Sequence, residues 1–203
     1  MVNTKQINDL LHSHFIVTGT LRIDPTSGVV DVRGSVLFDG KTSMSTFPVT
    51  FGHVSGKFQC DTAGLTSLKG APSTVGGSFW VNNNLLTSLE GAPQEVGSHF
   101  WCYSNLLKNL KGGPTSVGKQ YDCDSNPLES LEGIPHSLNG PFVCEYQKNL
   151  PLLRMLNAQK IELLMAPTAV QTILDKYAGQ GQKGALACAA ELADAGFKEN
   201  ARW

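Results

Sequence analysis

Residues 65–85 read LTSLKGAPSTVGGSFWVNNNL, and the phrase returns three more times: LTSLEGAPQEVGSHFWCYSNL from Leu86, LKNLKGGPTSVGKQYDCDSNP from Leu107 and LESLEGIPHSLNGPFVCEYQK from Leu128. The period is 21 residues, with no insertion. A fixed repeat of this length is the signature of a solenoid: one coil cannot bury its own apolar face and needs a neighbour stacked on it. Stacked coils present columns of equivalent side chains, which suit binding along a surface better than chemistry in a cleft.

Five register positions are apolar. They are Leu65, Leu86, Leu107 and Leu128; Leu68, Leu89, Leu110 and Leu131; Val75, Val96, Val117 and Leu138; Phe79, Phe100, Tyr121 and Phe142; and Val81, Cys102, Cys123 and Cys144. These are expected to point inward. The S-F-W-V segment alternates apolar and polar residues, which predicts one parallel strand per coil. Asn84, Asn105 and Asn126 follow it, placed to turn inward and bond the backbone of adjacent coils. The glycines from Gly70 and the prolines from Pro72, recurring with the repeat, argue against a helical return path. A degraded register continues upstream through Met44, Phe47, Val54, Phe58 and Cys60, so a first coil is expected over 44–64. The solenoid is then 44–148, flanked by a cap at 1–43 and a second unit at 149–203.

At the first end, NTKQINDLLHSHF predicts a short helix with Asn3 as N-cap and Ile7, Leu10 and Leu11 on one face. FIVTGTLRI, DPTSG and VVDVRGSVLF predict a hairpin. Such an α/β cap would shield an unpaired strand edge. At the other end, Leu152–Leu164 reads as helical and Pro167 opens a second helix, TAVQTILDKYAG. GQGQKG breaks it, and ALACAAELADAG forms a third helix ended by Gly196. This α-helical unit is a cap or a partner-binding module.

With 16 Lys plus Arg against 17 Asp plus Glu, the net charge is −1. The two signs stay nearly balanced in each segment, so no basic face offers itself to nucleic-acid phosphates or to a membrane. MVNTKQINDL has no signal-peptide core, and no apolar run reaches the roughly 18 residues of a membrane span, so the cytoplasm is the expected compartment. Four of the five cysteines (Cys60, Cys102, Cys123, Cys144) share the inward register, which predicts a reduced core ladder rather than zinc ligands or disulfides. Cys188 lies in an alanine-rich helix and is expected in the core.

Catalytic signatures are weak. Gly179–Gly184 faintly resembles a phosphate loop but follows a helix and lacks the Lys-Ser/Thr pair. His12 and His14 have no second ligand pair. Asp122 and Asp124 share a strand face and could hold a divalent cation, though a solvated face explains them as well. No G-x-S-x-G elbow occurs. No catalytic residue, cofactor or metal is therefore expected.

The strand residues between the inward positions face outward in columns: Gln59, Trp80, Trp101, Asp122, Val143; Asp61, Asn82, Tyr103, Asp124, Glu145; and Lys57, Ser78, His99, Gln120, Pro141. At about 4.8 Å per strand, five coils make a face on the order of 20 Å long. The candidate partner-binding residues are Trp80, Asn82, His99, Trp101, Tyr103, Asp122, Asp124 and Glu145. Aromatics beside a charged rim have the composition of an interaction hot spot.

The F-x-C-x-x-N-x-L pattern followed by L-x-x-L resembles a short leucine-rich repeat. The phrase L-T-S-L-x-G-A-P-x-x-V-G-G-x-F is similar to leucine-rich-repeat-like proteins of large tailed bacteriophages and some bacteria. The resemblance takes in FPVTFGHVSGKFQC and, loosely, GFKENARW. It implies a bacterial host protein as partner, and a phage inhibitor of a host defence nuclease, toxin or signalling enzyme as the function. A virion-associated structural protein, or an enzyme with its site in the C-terminal unit near Glu162, Asp175 and Glu191, are the alternatives.

Overall fold

The computed structural model describes residues 2–203. The chain enters through α1 (Thr4–His14), where the Asn3 side chain accepts a hydrogen bond from the Gln6 amide at 3.1 Å and Leu11 is the buried residue. Next, β1 (Phe15–Val17) and β2 (Thr20–Ile23) run out, and β3 (Val30–Arg33) and β4 (Val36–Phe38) run back. They pair antiparallel as one bent hairpin, Phe15 opposite Phe38 and Ile23 opposite Val30.

The repeats then alternate two kinds of short strand. The first kind comprises β5 (Phe51–Val54), β7 (Thr74–Val75), β9 (Glu95–Val96), β11 (Ser116–Val117) and β13 (Ser137–Leu138). The second comprises β6 (Phe58–Gln59), β8 (Phe79–Trp80), β10 (Phe100–Trp101), β12 (Tyr121–Asp122) and β14 (Pro141–Glu145). They build two sheets. The aromatic sheet runs β1-β4-β6-β8-β10-β12-β14 and ends on β15 (Lys160–Leu164), while the valine sheet runs β13-β11-β9-β7-β5-β3-β2. The result is a parallel β-solenoid of about six turns. Each coil thus carries two strands, not the single one that the alternation predicted. The T-V segment is too short to show a period, yet its valine is buried and its register with the next coil is regular, as in Val75 opposite Val96.

A glycine corner joins the two strands of a coil. A Cβ on Gly76, Gly97 or Gly118 would stand 2.4, 2.1 and 2.2 Å from the carbonyl oxygen of the preceding coil. No side chain fits between backbones that close. In the fourth repeat the glycine shifts to Gly140, where a Cβ would meet the Lys119 carbonyl carbon at 2.6 Å.

Inside, the five apolar columns are buried as their register requires. Phe58, Phe79, Phe100, Tyr121 and Phe142 stack with centroids 4.8–5.6 Å apart. All five cysteines are buried and free. Burial pushes the Cys60, Cys102 and Cys123 thiols well above their ordinary range. Coil pairing starts before Met44, since β3 and β4 already lie parallel to β5 and β6.

The C-terminal segment departs from the expected three helices. Leu152–Leu164 is a 3-10 turn at Leu153–Asn157 followed by β15, which pairs with β14 along all five residues, Pro141 opposite Lys160 to Glu145 opposite Leu164. Ile161 and Leu163 alternate inward, so the open edge of the last coil decides the conformation. Then α2 (Thr168–Tyr177) packs against β15, and α3 (Gln182–Asp194) packs against α2 and the 3-10 turn. The Gln171 side chain accepts from the Leu163 amide and donates to the Ile161 carbonyl, both at 2.9 Å, doing for β15 what a further strand would do. No helix among the described residues is long and apolar enough to cross a membrane.

Candidate functional site

The outer surface of the aromatic sheet brings most of the predicted residues together. Its strands are held in register by the inward Phe column and by the asparagine turn beyond each strand. Asn105 shows the device: its Oδ1 accepts from the Leu86 amide at 3.0 Å, and its amide donates to the Val81 and Cys102 carbonyls at 2.9 and 3.0 Å. Asn84 and Asn126 repeat it. The turn also holds Thr62, Asn83, Ser104 and Ser125 at φ of 50–55°, a left-handed conformation 21 residues apart each time.

Neighbouring strands set Trp80 on Trp101, with ring centroids 4.5 Å apart and planes 11° from parallel. The separation is close to the strand spacing, as equivalent side chains on neighbouring parallel strands require. His99 and Tyr103 flank Trp101 on its own strand and turn, with centroids at 5.6 and 6.3 Å. On the N-terminal side, the Lys57 ammonium sits 4.4 Å from the Trp80 ring centroid. Lys57 donates to Gln59 Oε1 at 2.7 Å, and Gln59 donates to Asp61 at 2.7 Å. Both tryptophans are partly exposed, but their indole N–H groups are covered and have no partner.

On the C-terminal side stand the carboxylates. Asp122 accepts from the Gln120 side chain at 3.2 Å and from the Asp124 amide at 3.3 Å. Burial, with Asp124 adding repulsion, pushes its carboxyl up to about 6. Burial and the nearby Asp122, Asp61 and Asp124 charges raise the Tyr103 phenol. Burial, then the Lys119 charge, lowers the His99 imidazole below its ordinary range. Among the described residues, none of Asp61, Asp122, Asp124 and Glu145 pairs with a cation.

Asn82 departs from expectation. It was to face outward with Tyr103 and Asp124, but it is only 5% exposed, lies against the Tyr103 hydroxyl, and leaves its Oδ1 unpartnered. Its smaller side chain is covered by the larger one of the next coil. Val143, also placed in an outer column, is buried. Two features escaped the sequence-based site. Lys57 and Gln59 join Asp61 on its N-terminal side, and their place in the outward columns was the available signal. β15 lengthens the face, placing Glu162 beside Val143 and pairing it with Lys160 at 2.5 Å. No cluster of three or more His, Cys, Asp or Glu side chains among the described residues is arranged to hold a metal ion. The arrangement offers flat aromatic surface, unpaired carboxylates and uncommitted hydrogen-bonding atoms, which is chemistry for recognition.

In comparisons with known proteins, the chain matches no family model, no curated protein and no solved structure.

Proposed function

We propose that this protein is a non-enzymatic protein-binding module that docks its partner on the outer face of the aromatic sheet. The observation that carries the reading is the Trp80–Trp101 stack, partly exposed at the surface beside four carboxylates that pair with no cation among the described residues. Large rigid aromatics with a charged rim provide contact area at low entropic cost, and the long flat sheet fits a protein surface better than a metabolite. The repeat is read as a short leucine-rich-repeat-like unit. Its resemblance to phage repeat proteins makes a bacterial host defence protein the first class of partner to seek, with stoichiometric inhibition in the cytoplasm as the mode of action.

The test is affinity purification from bacterial lysate with mass spectrometry, run in parallel on the wild type and Trp101→Ala. Loss of a buried interface aromatic costs about 2 kcal/mol or more, roughly thirtyfold in affinity. Trp101→Ala is expected to lose the partner while keeping its unfolding transition, because the ring lies outside the coil. A partner inactivated at far less than one equivalent of this protein would mean catalysis and overturn the reading.

A further inference from the structure

The tryptophan stack has two unequal ends. On the Trp80 end the chain supplies its own cation: Lys57 lies over the ring at 4.4 Å and is tethered through Gln59. On the Trp101 end the ring faces the next coil, where the column continues with Asp122 instead of a third aromatic. Among the described residues no cation lies over Trp101; the other two such contacts are Arg154 on Trp203 and Lys176 on Tyr177. The aromatic wall is therefore followed, one strand spacing on, by an anionic one.

Charge complementarity names the occupant. Among the described residues Asp122 and Asp124 have no cation partner, and Asp122 stands one strand spacing from the Trp101 ring. Carboxylate oxygens on one side and a π face on the other ask for the same group: a planar cation rich in N–H donors.

Resting on the reading of this face as the binding surface, we infer that the free face of Trp101, with Asp122 and Asp124, receives an arginine side chain of the partner protein. A guanidinium stacks flat on an indole and presents five donors in a fixed fork, so it can meet the ring and the two carboxylates together. Lysine offers a point charge and no plane. Lys57 on Trp80 is the internal precedent for a cation on this stack. A bound cation also relieves the Asp122–Asp124 repulsion.

The experiment is a titration of the full chain, followed by the indole N–H resonances of Trp80, Trp101 and Trp203. The probes are the blocked peptides acetyl-Gly-Arg-Gly-amide, its Lys counterpart and its Glu counterpart. The Arg peptide is expected to shift Trp101 saturably at millimolar concentration and leave Trp203, on the C-terminal tail, unmoved. The Lys peptide should bind more weakly and the Glu peptide not at all. Asp122→Asn should lower the affinity for the Arg peptide by about tenfold, the scale of one charged contact, with its unfolding transition retained. An unmoved Trp101, equal shifts from the Arg and Glu peptides, or indifference to Asp122→Asn would each overturn the inference. With the captured partner, loss on Trp101→Ala but full binding by Asp122→Asn would sink the arginine receptor and leave the binding face standing. Full binding by Trp101→Ala would remove both.

Discussion

At position 113 the repeat departs from its own pattern and shows how closely the coils fit. Ala71 and Ala92 occupy this register in the first two repeats, each facing a phenylalanine, Phe79 or Phe100. The third repeat has Gly113 and Tyr121. A Cβ at Gly113 would lie 3.3 Å from the Tyr121 hydroxyl and 3.1 Å from Leu89 Cδ1, so the glycine makes room for the phenol oxygen, which is buried without a partner. Tyr121→Phe removes that oxygen and is expected to stabilise by about 1 kcal/mol. Gly113→Ala alone should destabilise by about 1–2 kcal/mol through crowding. Together they restore the alanine–phenylalanine pair, and the double variant should be more stable than the sum of the single effects by 1 kcal/mol or so. Urea unfolding of the four proteins measures the coupling, and additive effects would refute the pairing. Asp122 gives a pH dependence at the same scale. Its folded carboxyl is raised from 3.8 to about 6, so the native state holds its proton more tightly than the unfolded chain. The stabilisation is whole below pH 3.8 and is lost as pH rises through 6. Two units correspond to about 3 kcal/mol for a fully buried group; with solvent reaching this one, on the order of 1 kcal/mol is expected. Asp122→Asn should therefore raise stability by that amount at pH 7.5 and hardly at pH 4. Equal effects at both pH values would show that the carboxyl titrates normally. The carboxylate costs stability where it stands.

At the scale of one element, the asparagine turn holds the most hydrogen bonds per residue. Each of Asn84, Asn105 and Asn126 closes its own turn and reaches back to the previous coil. The ladder begins after Ala63 and is closed beyond Asn126 by Gln147, which donates to the Asn126 carbonyl at 2.8 Å. Asn105→Ala would strand the Leu86 amide inside the protein and leave the Val81 and Cys102 carbonyls with one asparagine donor each, Asn84 and Asn126. One to three kcal/mol for the stranded amide, with the lost bonds to the two carbonyls added, makes a loss of about 2–3 kcal/mol the expected outcome in denaturant unfolding. A loss under about 1 kcal/mol would mean that the backbone satisfies itself without the side chain. The outer return path uses charge in the same register: Lys69, Glu90, Lys111 and Glu132 alternate in sign, and Lys108–Glu129 and Lys111–Glu132 close to 2.8 and 3.0 Å. These pairs are exposed and contribute little energy, but a column of like charges would oppose the stacking.

For the whole molecule, the problem of a solenoid is its ends. The first end is sealed by the bent hairpin and α1: β3 and β4 pair parallel with β5 and β6, and β2 and β1 close them antiparallel as the outermost strands of the two sheets. The last is sealed by β15 and then by Gln171, whose amide occupies the donor and acceptor of the final edge. With the ends covered, the broad outer faces of the sheets are the open surface, and among the described residues the stacked indoles beside unpaired carboxylates lie on the aromatic sheet.

The chain's own pattern determined the solenoid, its 21-residue rise, its inward columns, the buried thiols and the inward asparagines. Each is a consequence of identical neighbours meeting identical neighbours, so periodicity alone carries it. The same register placed Trp80 on Trp101 and Asp122 beside Trp101. What only the tertiary structure decided depends on partners distant in sequence or on side chains of unequal size. Two-residue strands have no period, so the valine sheet appears only once coils are stacked. Leu152–Leu164 has helical composition but meets an open strand edge and becomes β15. Asn82 lies in an outward column and is nevertheless covered, because Tyr103 of the next coil is larger than the asparagine it overlies. Lys57 joins the site because its flexible stem lets the ammonium reach a ring one coil away, a geometry that register permits and packing selects.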